Sequence, residues 1–266
     1  MNEHRWINGV LRSYVVLVFI FIFAPIIGSV VFSFNVDRFP SLPLGGFSLR
    51  WYEAIAADPQ VWQAFKNSLA VGVVVSLVST LLGFTAAYTD YRYLFFGKSV
   101  YMALALLPPT IPVVILGLAM LAFLSRIGLS GELYAVMISH IVMCAPFAMA
   151  VIRMRLAQLD PNAEAAAWNL GANQWKAMRF VILPFTAPSI FAALFVTMAV
   201  SFDEFAVAWF VSGLNETVPV RILTTLQGQV SPTINAIGTI VFITTMTLTI
   251  VAQLLLMRRQ KKPSDG

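Results

Sequence analysis

One cysteine and two histidines stand among 266 residues, and only 11% of the chain is charged. A lone thiol, Cys144, allows no intrachain disulfide and no cysteine-based metal cluster. His140 lies four residues before it, a spacing that shares a helix face, but no third or fourth ligand is near, so the pair reads as packed helix interior. With 59% hydrophobic residues and a mean hydropathy of +0.82, the chain has too few charges to cover the surface of a soluble domain. The formal charge of +5 does not indicate nucleic acid, because the Lys and Arg residues fall between apolar runs and form no continuous face. A phosphate-binding loop is also lacking. Gly97-Lys98-Ser99 supplies only the second half of that motif, with Arg92 where the first glycine belongs.

What is present is apolar length. About 20 apolar residues cross the hydrocarbon of a bilayer. Uncharged runs cover Tyr14–Phe34, Ser68–Thr89, Ser99–Ser125, Leu133–Ile152 and Ala236–Met257, and Phe185–Phe210 qualifies apart from one acidic pair. The first run follows Arg5 and Arg12, but at 21 residues without a clear cleavage site it reads as a retained span rather than a signal peptide. The expectation is an all-α integral membrane protein with six transmembrane helices. If the N-terminus is inside, the inner segments hold Arg5, Arg12, Arg92, Lys98, Arg153, Arg155, Lys176, Arg179, Arg258, Arg259, Lys261 and Lys262. The outer segments hold Arg38, Arg50, Lys66, Arg126 and Arg221. Twelve against five places both termini in the cytoplasm. Residues 1–13 then form the inner N-terminus, 14–257 one six-helix domain, 153–184 its long inner loop and 258–266 a cytoplasmic tail. The outer stretch Asn35–Asn67 mixes Trp51, Tyr52, Ile55, Trp62 and Phe65 with charges, which suits a short helix at the interface.

Three features carry mechanism. In the inner loop, Asp160 is an N-cap, Pro161 suits the first helical position and Gly171 can end the helix in a left-handed cap. Pro161–Leu170 would be a rod of about 15 Å, marginal in water unless something packs on it. Ala165, Ala166 and Ala167 offer it a low face and Trp168 a large anchor; docking on a partner and packing on the chain's own spans both remain open. In the third run, Pro108, Pro109 and Pro112 remove backbone donors and imply a kinked or broken helix, beside a pathway or in simple packing. In the fifth, Asp203 and Glu204 stand where a charge costs about 2.5–3.5 kcal/mol on insertion scales. Their residues point about 100° apart on a helix, so one, by preference Asp203, faces a pathway while the other caps or pairs. Phe202, Phe205, Trp209 and Phe210 surround them, and carboxylates with aromatic faces attract an ammonium ion. An acid pair that snorkels to the interface or pairs with another subunit is the plainer reading.

Ala165-Ala166-Ala167-Trp168-Asn169-Leu170-Gly171-Ala172, continuing to Ile182-Leu183-Pro184, resembles the EAA loop of ABC-importer permeases. In that family the loop is a coupling helix seated on a separate ATPase. The family's glutamate stands six residues before the glycine, at Ala165 here; Glu164 lies one residue earlier, turned about 100° away. Leu107-Pro108-Pro109-Thr110-Ile111-Pro112 with Gly117 resembles the family's proline-rich core helix. Ser201-Phe202-Asp203-Glu204-Phe205, Phe210-Val211-Ser212-Gly213, Val218-Pro219 and Val230-Ser231-Pro232 through Asn235-Ala236 look like its spermidine/putrescine branch. The resemblance implies a type I ABC-importer permease fold in a bacterial inner membrane, working by alternating access. It implies an ATPase dimer that holds ATP and Mg, a second permease subunit completing a heterodimer, and a periplasmic solute-binding protein. This chain would carry no cofactor and perform no hydrolysis itself. Glu164 to Trp168 and Gly171 would couple to the ATPase, the three prolines would shape the gate, and Asp203, Glu204, Phe202, Phe205 and Trp209 would line the path of a small cationic amine. The alternatives are a permease of the same type for another solute, an ATP-independent transporter or channel using the two acids as a cation site, and a structural membrane subunit without a pathway.

Overall fold

The computed structural model describes residues 2–38, 43–228 and 232–257. The tail at 258–266 with its four cations, and Val230-Ser231, lie outside the described residues. In chain order the helices are α1 (Asn2–Ser33), α2 (Arg50–Ala57), α3 (Pro59–Arg92), α4 (Lys98–Leu106), α5 (Val113–Arg126), α6 (Leu133–Leu156), α7 (Pro161–Asn169), α8 (Gln174–Ala177), α9 (Leu183–Asp203), α10 (Ala206–Val211), α11 (Val218–Gly228) and α12 (Thr233–Met257). Among the described residues, five stretches are long and apolar enough to cross a membrane: Trp6–Ser33, Pro59–Arg92, Leu133–Leu156, Gln174–Asp203 and Thr233–Leu254. The protein is an all-α membrane protein. Its α1 leaves Leu17, Ile20 and Phe21 exposed, which water penalises and hydrocarbon does not.

Two of the expected runs are not single helices. The third divides into α4 and α5, with Pro108–Thr110 in a tight 3₁₀ turn between them. Three prolines supply no N–H, and Pro112 pushes Ile111 into extended backbone at φ −79°, ψ 132°. The fifth ends at Asp203: Glu204 is extended at φ −72°, ψ 117°, and α10 starts afresh after it. Toward its start this run is longer than expected, because a wide π turn at Met178–Ile182 joins α8 to α9 without interruption.

The chain divides into two compact units, residues 1–62 with 222–242 and residues 63–221 with 243–266. In the first, the turn after α1 closes by an antiparallel bridge between Asn35 and Phe47. The Trp51 indole N–H donates to the Asn35 carbonyl at 2.7 Å, and the Ser33 and Tyr52 hydroxyls share a hydrogen bond of 2.7 Å. Trp51 and Tyr52 therefore brace their own chain more than they project from it.

In the second unit, α6 packs along α9 through small side chains, Ser189, Ala192, Ala193 and Thr197 among them, which lets the backbones approach. Gly83 does the same for α3 and α6, since a Cβ there would lie 2.6 Å from both Ala148 Cβ and Met149 N. His140 and Cys144 sit in this interior. The His140 Nδ1 is 2.9 Å from the Ser201 hydroxyl, and the Cys144 thiol donates to the Thr197 carbonyl at 3.9 Å. One apolar cluster gathers Val71, Leu116, Leu124, Val136, Val207 and Val211; another gathers Ala87, Met149, Ile152, Leu156 and Ile182 beside the loop between α6 and α9. The end of the unit bearing that loop is here the loop end, and the end bearing Asp203 the acid end.

Candidate functional site

At the loop end, local chemistry builds α7. The Asp160 carboxylate accepts from the Asn162 N–H at 2.9 Å, and Gly171 takes φ +78°. The Gly171 N–H donates to the Trp168 carbonyl and the Ala172 N–H to the Ala167 carbonyl, the paired bonds of a Schellman cap. The helix stops one residue earlier than the sequence suggests, with Leu170 as its C-cap.

The side chains of α7 sort into two faces. Asn162, Ala166, Trp168, Asn169 and Leu170 are exposed, whereas Ala163, Ala165 and Ala167 are half-buried. The expected alanine face thus reduces to Ala166, flanked by polar residues and the bare Leu170. Glu164 points inward at 5% exposure. Its Oε2 lies 3.5 Å from Arg92 Nε at the end of α3, and the Arg92 guanidinium sits 4.7 Å over the Trp168 ring. Glu164 and Trp168, expected to meet a partner, are engaged first by their own chain. The 100° turn away from the family's position is the physical reason. Farther along, the Gln174 amide donates to the Tyr93 hydroxyl at 2.8 Å.

Sequence reasoning missed the charge cluster beneath this loop. Asp90, 8% exposed, accepts from Arg153 Nε at 2.6 Å and lies 3.3 Å from Lys98 Nζ. Lys98 also donates to the Asp90 and Tyr93 carbonyls, which gives the lysine of Gly97-Lys98-Ser99 a structural task. The available signal was an acid at the end of an apolar run with cations at both neighbouring run ends.

Of the three prolines, Pro108 borders a cavity of about 410 Å³ between α3, α4 and α6. Gly83, Thr85, Thr89, Tyr101, Pro108 and Pro146 line it. Thr85 and Thr89 also border a groove of about 540 Å³ whose other walls include Phe84, Tyr88, Tyr93 and Trp175. Pro109 and Pro112 do not line either space.

At the acid end, Asp203 is the exposed last residue of α9, and its carboxylate makes no hydrogen bond or ion pair with the described residues. Glu204 folds back to cap α10, its Oε1 accepting from the Val207 N–H at 2.9 Å. The aromatic setting is narrower than expected. Phe202 is 4% exposed and turned into the interior, because successive helical residues diverge by about 100°. Phe205 and Phe210 pack on the core cluster, and Trp209, tilted 36° against Phe205 at 5.9 Å, is the most open ring. The α7 residues, the prolines and the acids occupy separate places along the unit, linked by α3 and α9.

Residues 79–262 match the family model for the inner membrane component of binding-protein-dependent transport systems. This chain belongs to that family. It is therefore a permease subunit of an ABC importer, a transport component. The spermidine/putrescine transport system permease protein PotC of Haemophilus influenzae is 29% identical over 245 residues, 92% of this chain and 95% of the relative. The putrescine transport system permease protein PotI of Escherichia coli is 28% identical over 271 residues, 98% and 96%. A sulfate transport system permease protein, CysT of Escherichia coli, is 26% identical over 78% of this chain and 80% of the relative. Among solved structures, a chain of a bacterial ABC transporter involved in importing the acidic polysaccharide alginate superposes with a TM-score of 0.74, covering 98% of both chains at 17% identity. That similarity shows the permease fold. Another structure of an alginate ABC transporter contains a pentasaccharide-bound periplasmic protein.

Proposed function

We propose that this subunit carries polyamines or a related cationic amine across a bacterial inner membrane by alternating access. The observation behind the solute is Asp203: an exposed carboxylate without a partner among the described residues, at the broken end of a membrane helix, with Trp209 open nearby. A carboxylate and a ring face together suit an ammonium group. The PotC and PotI relatives support the same solute class. A periplasmic binding protein delivers the amine, a second permease chain completes the path, and an ATPase dimer holding ATP and Mg seats on the outer face of α7. The exposed row Asn162, Ala166, Asn169 and Leu170 is the face available for that seat.

Uptake of labelled spermidine and putrescine by the assembled complex tests this reading. Asp203→Asn should raise the concentration needed for half-maximal uptake. Unchanged uptake with Asp203→Asn and Glu204→Gln together removes the amine assignment. The sulfate-permease relative makes an anionic solute the second reading, and sulfate uptake by the same complex would decide for it.

A further inference from the structure

The two ends of α3 hold the two ends of the mechanism. At the loop end, Arg92 pairs with Glu164 on α7 and covers the Trp168 ring. At the acid end, the Asn67 amide donates to the Glu216 carbonyl at 2.9 Å, and the Val218 N–H donates to the Ser68 hydroxyl at 2.8 Å. Glu216 to Val218 belong to the segment that follows α10, the short helix capped by Glu204. Between these grips lie 24 residues of unbroken helix, a rod of about 36 Å. The coupling loop also continues directly into α9, which ends at Asp203. The stretch from Asp203 to Val218 is therefore held from both sides by two rods that start at the same loop.

The joint at Arg92 is not fully satisfied. A separation of 3.5 Å is outside good hydrogen-bond geometry. Arg92 Nε and Glu164 Oε1 are both buried without a hydrogen bond among the described residues. Buried polar atoms left in this way call for a reason. A small approach of α7 toward α3 would close the pair into a charge-assisted hydrogen bond.

We propose that Arg92 is a positioning residue for coupling: it clasps α7 through Glu164 and Trp168, and α3 carries the displacement to the segment beyond the acids, sliding against α9. Packed helices shift by such small shear steps. Spatial continuity alone does not prove coupling, so the assignment stands on a charge swap. It rests on the seating of an ATPase on α7 proposed above.

The test uses the assembled complex in liposomes with Glu216→Cys as reporter; the native Cys144 is buried. A membrane-impermeant maleimide labels the reporter without nucleotide and with ATP, Mg and vanadate. We expect two different labelling rates, loss of that difference in Arg92→Glu and in Asn67→Ala with the ATPase still bound, and its return in the double variant Arg92→Glu, Glu164→Arg. Should Arg92→Glu fail to assemble, Arg92→Gln is read in the same way. A difference that persists in Arg92→Glu or Arg92→Gln, a swap that restores nothing, or a reporter blind to nucleotide overturns the proposal. Loss of the ATPase from the complex carrying only the reporter overturns the seating on α7 with it. No amine enters the assay, so the solute assignment stands or falls separately.

Discussion

Arg153 Nε lies 2.6 Å from Asp90 Oδ2 and ties the last turn of α6 to the last turn of α3. With Lys98 on its other oxygen, Asp90 balances two cations at 10% side-chain exposure. Removing the acid leaves both without their partner. Asp90→Asn is expected to cost about 1–3 kcal/mol, below the figure for a fully buried pair because Arg153 is half exposed. A fall in the thermal unfolding midpoint of the detergent-solubilised protein, followed by tryptophan fluorescence, checks it; an unchanged midpoint would count against a structural role for the cluster.

Gly83 is a point of close backbone approach between α3 and α6. Any side chain there meets the Met149 backbone, which cannot rotate away. Gly83→Val should destabilise the protein by about 1–3 kcal/mol or more through overpacking. Gly28, whose added Cβ meets nothing within 4 Å, should accept alanine with little change, and the two variants compared side by side make the measurement internal.

The cap and outer face of α7 lead to a third expectation. Gly171→Val forces a branched side chain into left-handed backbone, a strain of roughly 1–2 kcal/mol that unravels the last turn. Ala166→Arg leaves the helix intact and fills the centre of its exposed face. Both should lower the ATP hydrolysis stimulated by loaded binding protein, Gly171→Val with a loss of stability and Ala166→Arg without one. Normal stimulation in Ala166→Arg would mean that the partner sits elsewhere.

The adjacent acids should separate in their effects. Glu204→Ala removes a cap and is expected to cost about 1 kcal/mol of stability. Asp203→Asn touches no contact within the described residues and should change transport at constant stability. Uptake kinetics and thermal melts on the same preparations distinguish the two; equal melts for both would show that the Glu204 cap contributes little.

Much of α7 was legible because helix ends are local: Asp160, Pro161 and Gly171 each act within a few residues. The proline break was legible for the same reason. The direction of Glu164 was not, since its partner Arg92 is 72 positions away and a one-residue offset decides which side of a helix a carboxylate occupies. Nor was the break after Asp203, where Phe-Asp-Glu-Phe contains neither glycine nor proline and the backbone turns because Glu204 can cap the helix that follows. Arg92, Lys98 and Arg153 entered the sequence reading as signs of sidedness, and the first two also in a half-matched phosphate-binding loop. Folding gives each a specific acid or backbone carbonyl.

The cavity between α3, α4 and α6 has one more property. Pro146 offers no N–H to the carbonyl of Val142, one helical turn before it, and both residues face that space along with Pro108. Thr85 and Thr89 add hydroxyls to the opposite wall, although each donates its proton to its own helix, Thr85 to the Leu82 carbonyl and Thr89 to the Thr85 carbonyl. Lone pairs thus collect inside apolar walls, with room for several water molecules. Such a notch wets more readily than its hydrophobic lining suggests, and it offers carbonyl and hydroxyl oxygens, with no free donor among the hydroxyls, to whatever water enters it.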